Sequence, residues 1–116
     1  MSVAIMKLEN VIEEFRKLDT EIQAQAMMTL CVIARADEAN SPVTVKEIGE
    51  KLGLTSASAS RNVAILSKWN RHQVKGHDLV EAYENPARRV EKFVKLTPKG
   101  KRVIKSLETI INGNKT

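Results

Sequence analysis

Between Thr44 and Leu66 the chain reads TVKEIGEKLGLTSASASRNVAIL, and this stretch leaves few folds open. Thr44 followed by Glu47 is a capping box, so a helix opens there and runs through Ile48 and Leu52. Gly53 stands where a helix ends in a left-handed conformation. Thr55 is a good N-cap for a second helix, which the pattern carries to about Asn70. Two capped helices around a short glycine-containing turn predict a helix-turn-helix over about 44–70. Gly49 fits that arrangement, because closely crossing helices favour a residue without a side chain.

The flanking sequence is mostly helical in period. Ile5, Leu8, Ile12 and Phe15 form one apolar stripe on a helix over about 2–18. Thr20 with Gln23 reads as another capping box, opening a central helix that reaches about Ala39, where Asn40-Ser41-Pro42 stops it. Val43-Thr44-Val45 is too short for more than an edge strand. Strand-like runs LVEAYE (79–84) and VEKFVKL (90–96) are joined by a turn over Asn85-Pro86-Ala87-Arg88-Arg89, with Val90, Val94 and Leu96 alternating onto one face. Thr97 as N-cap and Pro98 at the first helical position start a last helix over about 98–112. No repeat, low-complexity tract or inter-domain linker interrupts the chain. The expectation is one mainly α domain over 1–116 with a small β-hairpin (α+β).

Charge points to the partner. Residues 1–40 hold 4 Lys/Arg against 7 Asp/Glu, whereas 41–116 hold 15 against 7, so the basic excess lies wholly in the later part and suggests an anionic partner there. Aromatic residues are only 3%, too few for a platform that stacks single-stranded bases. The lone Cys31 excludes an internal disulfide and suits a reducing compartment; within an apolar helix it reads as a buried, inert thiol. The N-terminus lacks a signal-peptide pattern and no apolar run approaches a membrane span, which predicts a cytoplasmic protein. His72, His77 and Asp78 lack the partners and spacing of a metal site, and no nucleophile–base pair, phosphate loop or carboxylate pair argues for an enzyme or a cofactor.

On a helical wheel Ala59, Val63 and Leu66 share one face of the Thr55 helix, with Ala57, Arg61, Ala64 and Lys68 opposite and Ser58 and Ile65 on the flank. That outward face is small at its tip and basic along its length. A helix entering the major groove needs this: little bulk, hydroxyls for base edges and cations for phosphate. The candidate DNA contacts are Thr55, Ser56, Ala57, Ser58, Ser60, Arg61, Ala64 and Lys68, then Arg71 beyond the helix, then Arg88 and Arg89 at the hairpin turn.

With these motifs in order, the chain resembles the MarR-like winged helix-turn-helix regulators. Gly49, Leu52, Gly53, Leu54, Thr55, Ser60, Arg61 and Leu66 fall on that family's "LA…LGLS…SR…L" pattern, and Leu96, Thr97 and Gly100 on its "LT..G" start of the final helix. The resemblance implies a sequence-specific double-stranded DNA-binding regulator, a dimeric repressor, with the hairpin as its wing. It implies that the terminal helices form a two-fold dimer, through Ile5, Leu8, Ile12, Phe15, Ile104, Leu107 and Ile111 here. MarR-like proteins often respond to small phenolic compounds, and no pattern in this chain identifies a pocket for such an effector. Two departures stand out. Where the wing often carries Asp-x-Arg, this chain has Arg88 and Val90. The segment from Lys68 to Asp78 is longer than usual and basic, either lengthening the recognition helix with phosphate contacts from Lys68, Arg71 and Lys75 or forming a solvated loop with Trp69 on the core. The competing function is a winged-helix module that binds another protein.

Overall fold

The computed structural model describes residues 2–68 and 75–113. Eight elements follow one another: α1 (Val3–Leu18), α2 (Ala24–Glu38), β1 (Val43–Thr44), α3 (Val45–Leu52), α4 (Ser56–Leu66), β2 (Val80–Asn85), β3 (Arg88–Leu96) and α5 (Pro98–Asn112). The strands form one antiparallel sheet in the order β1-β3-β2, with Val43 opposite Val94 and Val80 opposite Leu96.

Local chemistry accounts for most of the boundaries. Ser2 Oγ accepts the Ile5 amide and starts α1. Thr44 Oγ1 accepts the Glu47 amide while Glu47 Oε1 accepts the Thr44 amide, a complete capping box for α3. Gly53, at φ 67° and ψ 33°, ends α3 in the left-handed region. Thr55 and Thr97 cap α4 and α5 through the amides of Ser58 and Gly100.

Three boundaries depart from the sequence expectation. The Thr20–Gln23 box does not form: α2 begins at Ala24, Gln23 makes no side-chain cap, and Asp19 Oδ1 instead accepts the Glu21 amide in the corner after α1. The hairpin turn is only Pro86-Ala87, closed by Asn85 Oδ1 on the Ala87 amide, so Arg88 and Arg89 belong to β3 rather than to the turn. The third is the end of α4, at Leu66 instead of about Asn70. There the returning chain takes over the last carbonyls: the amides of Gly76, His77, Asp78 and Leu79 donate to Lys68, Ile65, Ser67 and Leu66. Ser67 turns extended, and its hydroxyl donates to Val63 O.

A single core joins these pieces. Leu30 and Ile33 of α2, Ile48 of α3, Val63 and Leu66 of α4, and Leu79, Val80, Val94 and Leu96 at the base of the hairpin are buried together, with Phe15 and Leu107 at its edge. Each such side chain contributes about 1.5–3 kcal/mol on burial, and apart from Phe15 the named core side chains are aliphatic. Only the second half of α1 reaches it. The first half runs beside α5, where the Lys7 ammonium donates to the Ile111 carbonyl at 2.9 Å, and the molecule is elongated, 50 × 29 × 26 Å. No helix among the described residues is long and apolar enough to cross a membrane.

Candidate nucleic-acid interface

α4 is held from behind and open in front. Ala59, Val63 and Leu66 are buried, as the wheel predicts. Gly49 of α3 lets α4 approach, since a Cβ there would stand 3.4 Å from the Ala59 methyl and 3.2 Å from Leu54 O. Sequence reasoning missed Asn62. It is buried, and its Nδ2 donates to Ser58 O at 2.9 Å and to Gln25 Oε1 of α2 at 3.4 Å. The signal was present, because position 62 lies between 59 and 66 on the same inner face.

On the outer face Thr55, Ser56, Ala57, Ser60, Arg61 and Lys68 are exposed, and Ser58 and Ala64 are half-buried. Arg61 Nη2 donates to Ser58 Oγ at 3.2 Å, so the guanidinium rests on the helix surface with no carboxylate partner among the described residues. Ile65 is also exposed beside it. Arg71 lies outside the described residues, as do Trp69 and His72, so the expectations on them have no structural counterpart.

The hairpin distributes its charge unevenly. Along the stem Lys92 meets Glu84 and Lys95 meets Glu81, each at 3.6 Å and each directly across the ladder. Near the turn Arg88 Nη1 lies 3.7 Å from Glu91 Oε1, whereas Arg89 is exposed with no carboxylate partner among the described residues. The register jumps from Glu84–Lys92 to Asn85–Arg88, so β3 bulges over 89–91. Val90 is 90% exposed although alternation places it on the face of Val94 and Leu96. Lys92, on that face and still in register, is already exposed, so the hairpin has run beyond the core there.

The other candidate sites resolve differently. Ile5, Leu8, Ile12 and Ile111 are exposed on α1 and α5, and Ile104 is half-buried. Phe15 and Leu107 are covered within the chain, since they close the edge of its core. Cys31 is half-buried rather than fully so, and burial pushes its thiol pKa up from the ordinary value. His77 Nε2 lies 3.9 Å from Asp19 Oδ2, and no group of three potential metal ligands occurs among the described residues.

An N-capped helix with a small, hydroxyl-rich outer face, set on a second helix and beside a two-stranded hairpin, defines a winged helix-turn-helix. No protein-family model matches the chain, and neither does any curated protein sequence. Among solved structures the fold is that of the MarR-family regulators. MepR from a multidrug-resistant S. aureus clinical isolate superposes with a TM-score of 0.75 at 15% identity, covering 96% of this chain and 71% of that one. S. aureus MepR in complex with DNA gives 0.71 at 17%, covering 95% and 77%. A MarR variant from E. coli complexed with operator DNA gives 0.64 at 23%, covering 97% and 70%.

Proposed function

We propose that this protein is a dimeric, sequence-specific double-stranded DNA-binding transcriptional regulator, acting in the cytoplasm as a repressor and not as an enzyme. The observation that carries the reading is the exposed face of α4, where Thr55, Ser56, Ala57 and Ser60 keep the tip small and Arg61 is the one long cation above it. Such a face enters a major groove with its N-terminal turn toward base edges and phosphate. Arg61 then reads a guanine edge or grips a phosphate, Lys68 meets backbone, and Arg89 supports the flanking backbone or minor groove from the wing. That two proteins of the same fold were crystallised with DNA supports this reading.

The whole of 1–116 acts as one domain, with α1 and α5 as its dimerisation helices. Exposed Ile5, Leu8, Ile12 and Ile111 supply the apolar surface, which a two-fold partner would cover while presenting a second α4 to the next turn of DNA.

Selecting bound sites from a random duplex library, then titrating variants against the selected site at several salt concentrations, tests the proposal. Arg61→Ala is expected to weaken the selected site by about 1–3 kcal/mol, and Lys68→Ala to weaken all sequences alike while lowering the salt slope. If neither substitution alters duplex binding, the assigned recognition face is wrong.

A further inference from the structure

A second surface lies away from α4. Met28, Val32 and Arg35 of α2, followed by its C-cap Ala39, stand at helical spacing and face Leu52 and Lys51 of α3 across a groove of about 540 Å3, open to solvent. Met28 is 50% exposed and lines the groove together with Val32, Pro42 and Leu52, so it belongs to an apolar patch rather than standing alone. The groove turns the corner at Ser41-Pro42, which both stretches share, into a smaller one of about 200 Å3 against Tyr83 of the wing.

Charge gives the groove a polarity. Arg35 and Lys51 border the first stretch, and neither has a carboxylate partner among the described residues. Glu47 lines the same stretch and accepts from the amide and hydroxyl of Thr44, so two cations there stand against one carboxylate. In the second stretch Lys95 is already held by Glu81 at 3.6 Å and Asp37 stands in the same wall, so Pro42 and Tyr83 supply its binding character.

We propose that this groove docks an acidic peptide segment of a protein partner, with alternating apolar side chains seated on Met28, Val32 and Leu52 and carboxylates against Arg35 and Lys51. Shape selects a peptide: small ligands favour concavities that bury most of their surface, whereas this track is open and bends around Pro42. Two like-charged copies of the groove meeting across a two-fold would repel, which disfavours self-association through it. The docking surface goes beyond the DNA-binding role and shares none of its residues.

The test uses the full chain and a fluorescein-labelled peptide of alternating glutamate and leucine, with lysine and glutamine versions as controls, read by fluorescence anisotropy. The glutamate peptide is expected to bind most tightly, and Met28→Asp or Arg35→Glu to weaken it by about tenfold or more, while Arg35→Lys retains most of the affinity. Circular dichroism establishes that each variant is folded, since all the substituted positions are at the surface. Equal affinity for the glutamate and lysine peptides overturns the proposal, as does a folded Met28→Asp variant that binds unchanged. Displacement of the peptide by benzoate at equal affinity would make this a small-carboxylate site instead. A lower oligomeric mass for Met28→Asp in light scattering would mean that a second copy covers the groove, and would also overturn it. An Arg61→Ala variant that loses duplex binding but keeps the peptide separates this surface from the DNA-binding one.

Discussion

At the scale of single residues, Asn62 and Arg61 share a helix and do opposite work. Asn62 faces inward, and its amide is spent on Ser58 O and Gln25, tying α4 to α2 at a place where an aliphatic side chain would tie nothing. Asn62→Ala is therefore expected to cost about 1 kcal/mol in urea unfolding without changing the outer face. Arg61, one position earlier, makes only a surface bond to Ser58 Oγ, so releasing it to a ligand costs little. Cys31 gives a further residue-scale expectation. Burial raises its pKa, so the neutral thiol is favoured and alkylation by iodoacetamide should be slower at neutral pH than for a free thiol. The rate should rise only as pH climbs past the ordinary thiol value, because the thiolate is the nucleophile.

Among the elements, α3 and the end of α4 show how differently two helix boundaries can be set. The start of α3 is local: Thr44 and Glu47 satisfy each other's amides, and Thr44→Ala should lower stability by about 0.5–2 kcal/mol in thermal or urea melts. The end of α4 is not local. Its last two carbonyls, of Ile65 and Leu66, are taken by the amides of His77 and Leu79, about a dozen positions further along the chain. Gly76 lies so close that a Cβ would stand 2.0 Å from Ser67 O and 2.8 Å from Ile65 O. Gly76→Ala should force this clamp apart and destabilise the fold by about 1–3 kcal/mol, measured in the same melts. The hairpin combines both kinds of control. Asn85 closes a local Asx turn, yet the bulge over 89–91 arises from how β3 pairs with β2.

Over the whole molecule, the division is between a core that is complete and an apolar face that is not. Phe15 and Leu107 close the core, while Ile5, Leu8, Ile12 and Ile111 continue the same helices into solvent. Under the dimer proposal, Leu8→Asp with Ile12→Asp should halve the mass seen by light scattering. It should also weaken the selected DNA site far more than a single half-site, since the second recognition helix is lost with the partner. The charge asymmetry belongs to this scale as well. α1 is balanced, so the acidic excess of residues 1–40 falls on its connection to α2 and on the end of α2. α5, with four cations against Glu108, carries a large part of the basic excess.

The amino-acid sequence by itself determined what depends on neighbours a few residues apart: the caps at Thr44, Thr55 and Thr97, the left-handed end at Gly53, the inner face of α4, and hence the winged helix-turn-helix order. These are short-range hydrogen bonds and helical periodicities, which a residue pattern records directly. Only the tertiary structure decided where α4 stops, that Val90 points outward, which apolar residues of α1 and α5 are already covered, and that α2 and α3 leave a groove bordered by Arg35 and Lys51 between them. Each of those depends on a partner far away in the chain, and the same apolar or basic side chain reads alike in sequence whether that partner arrives or not.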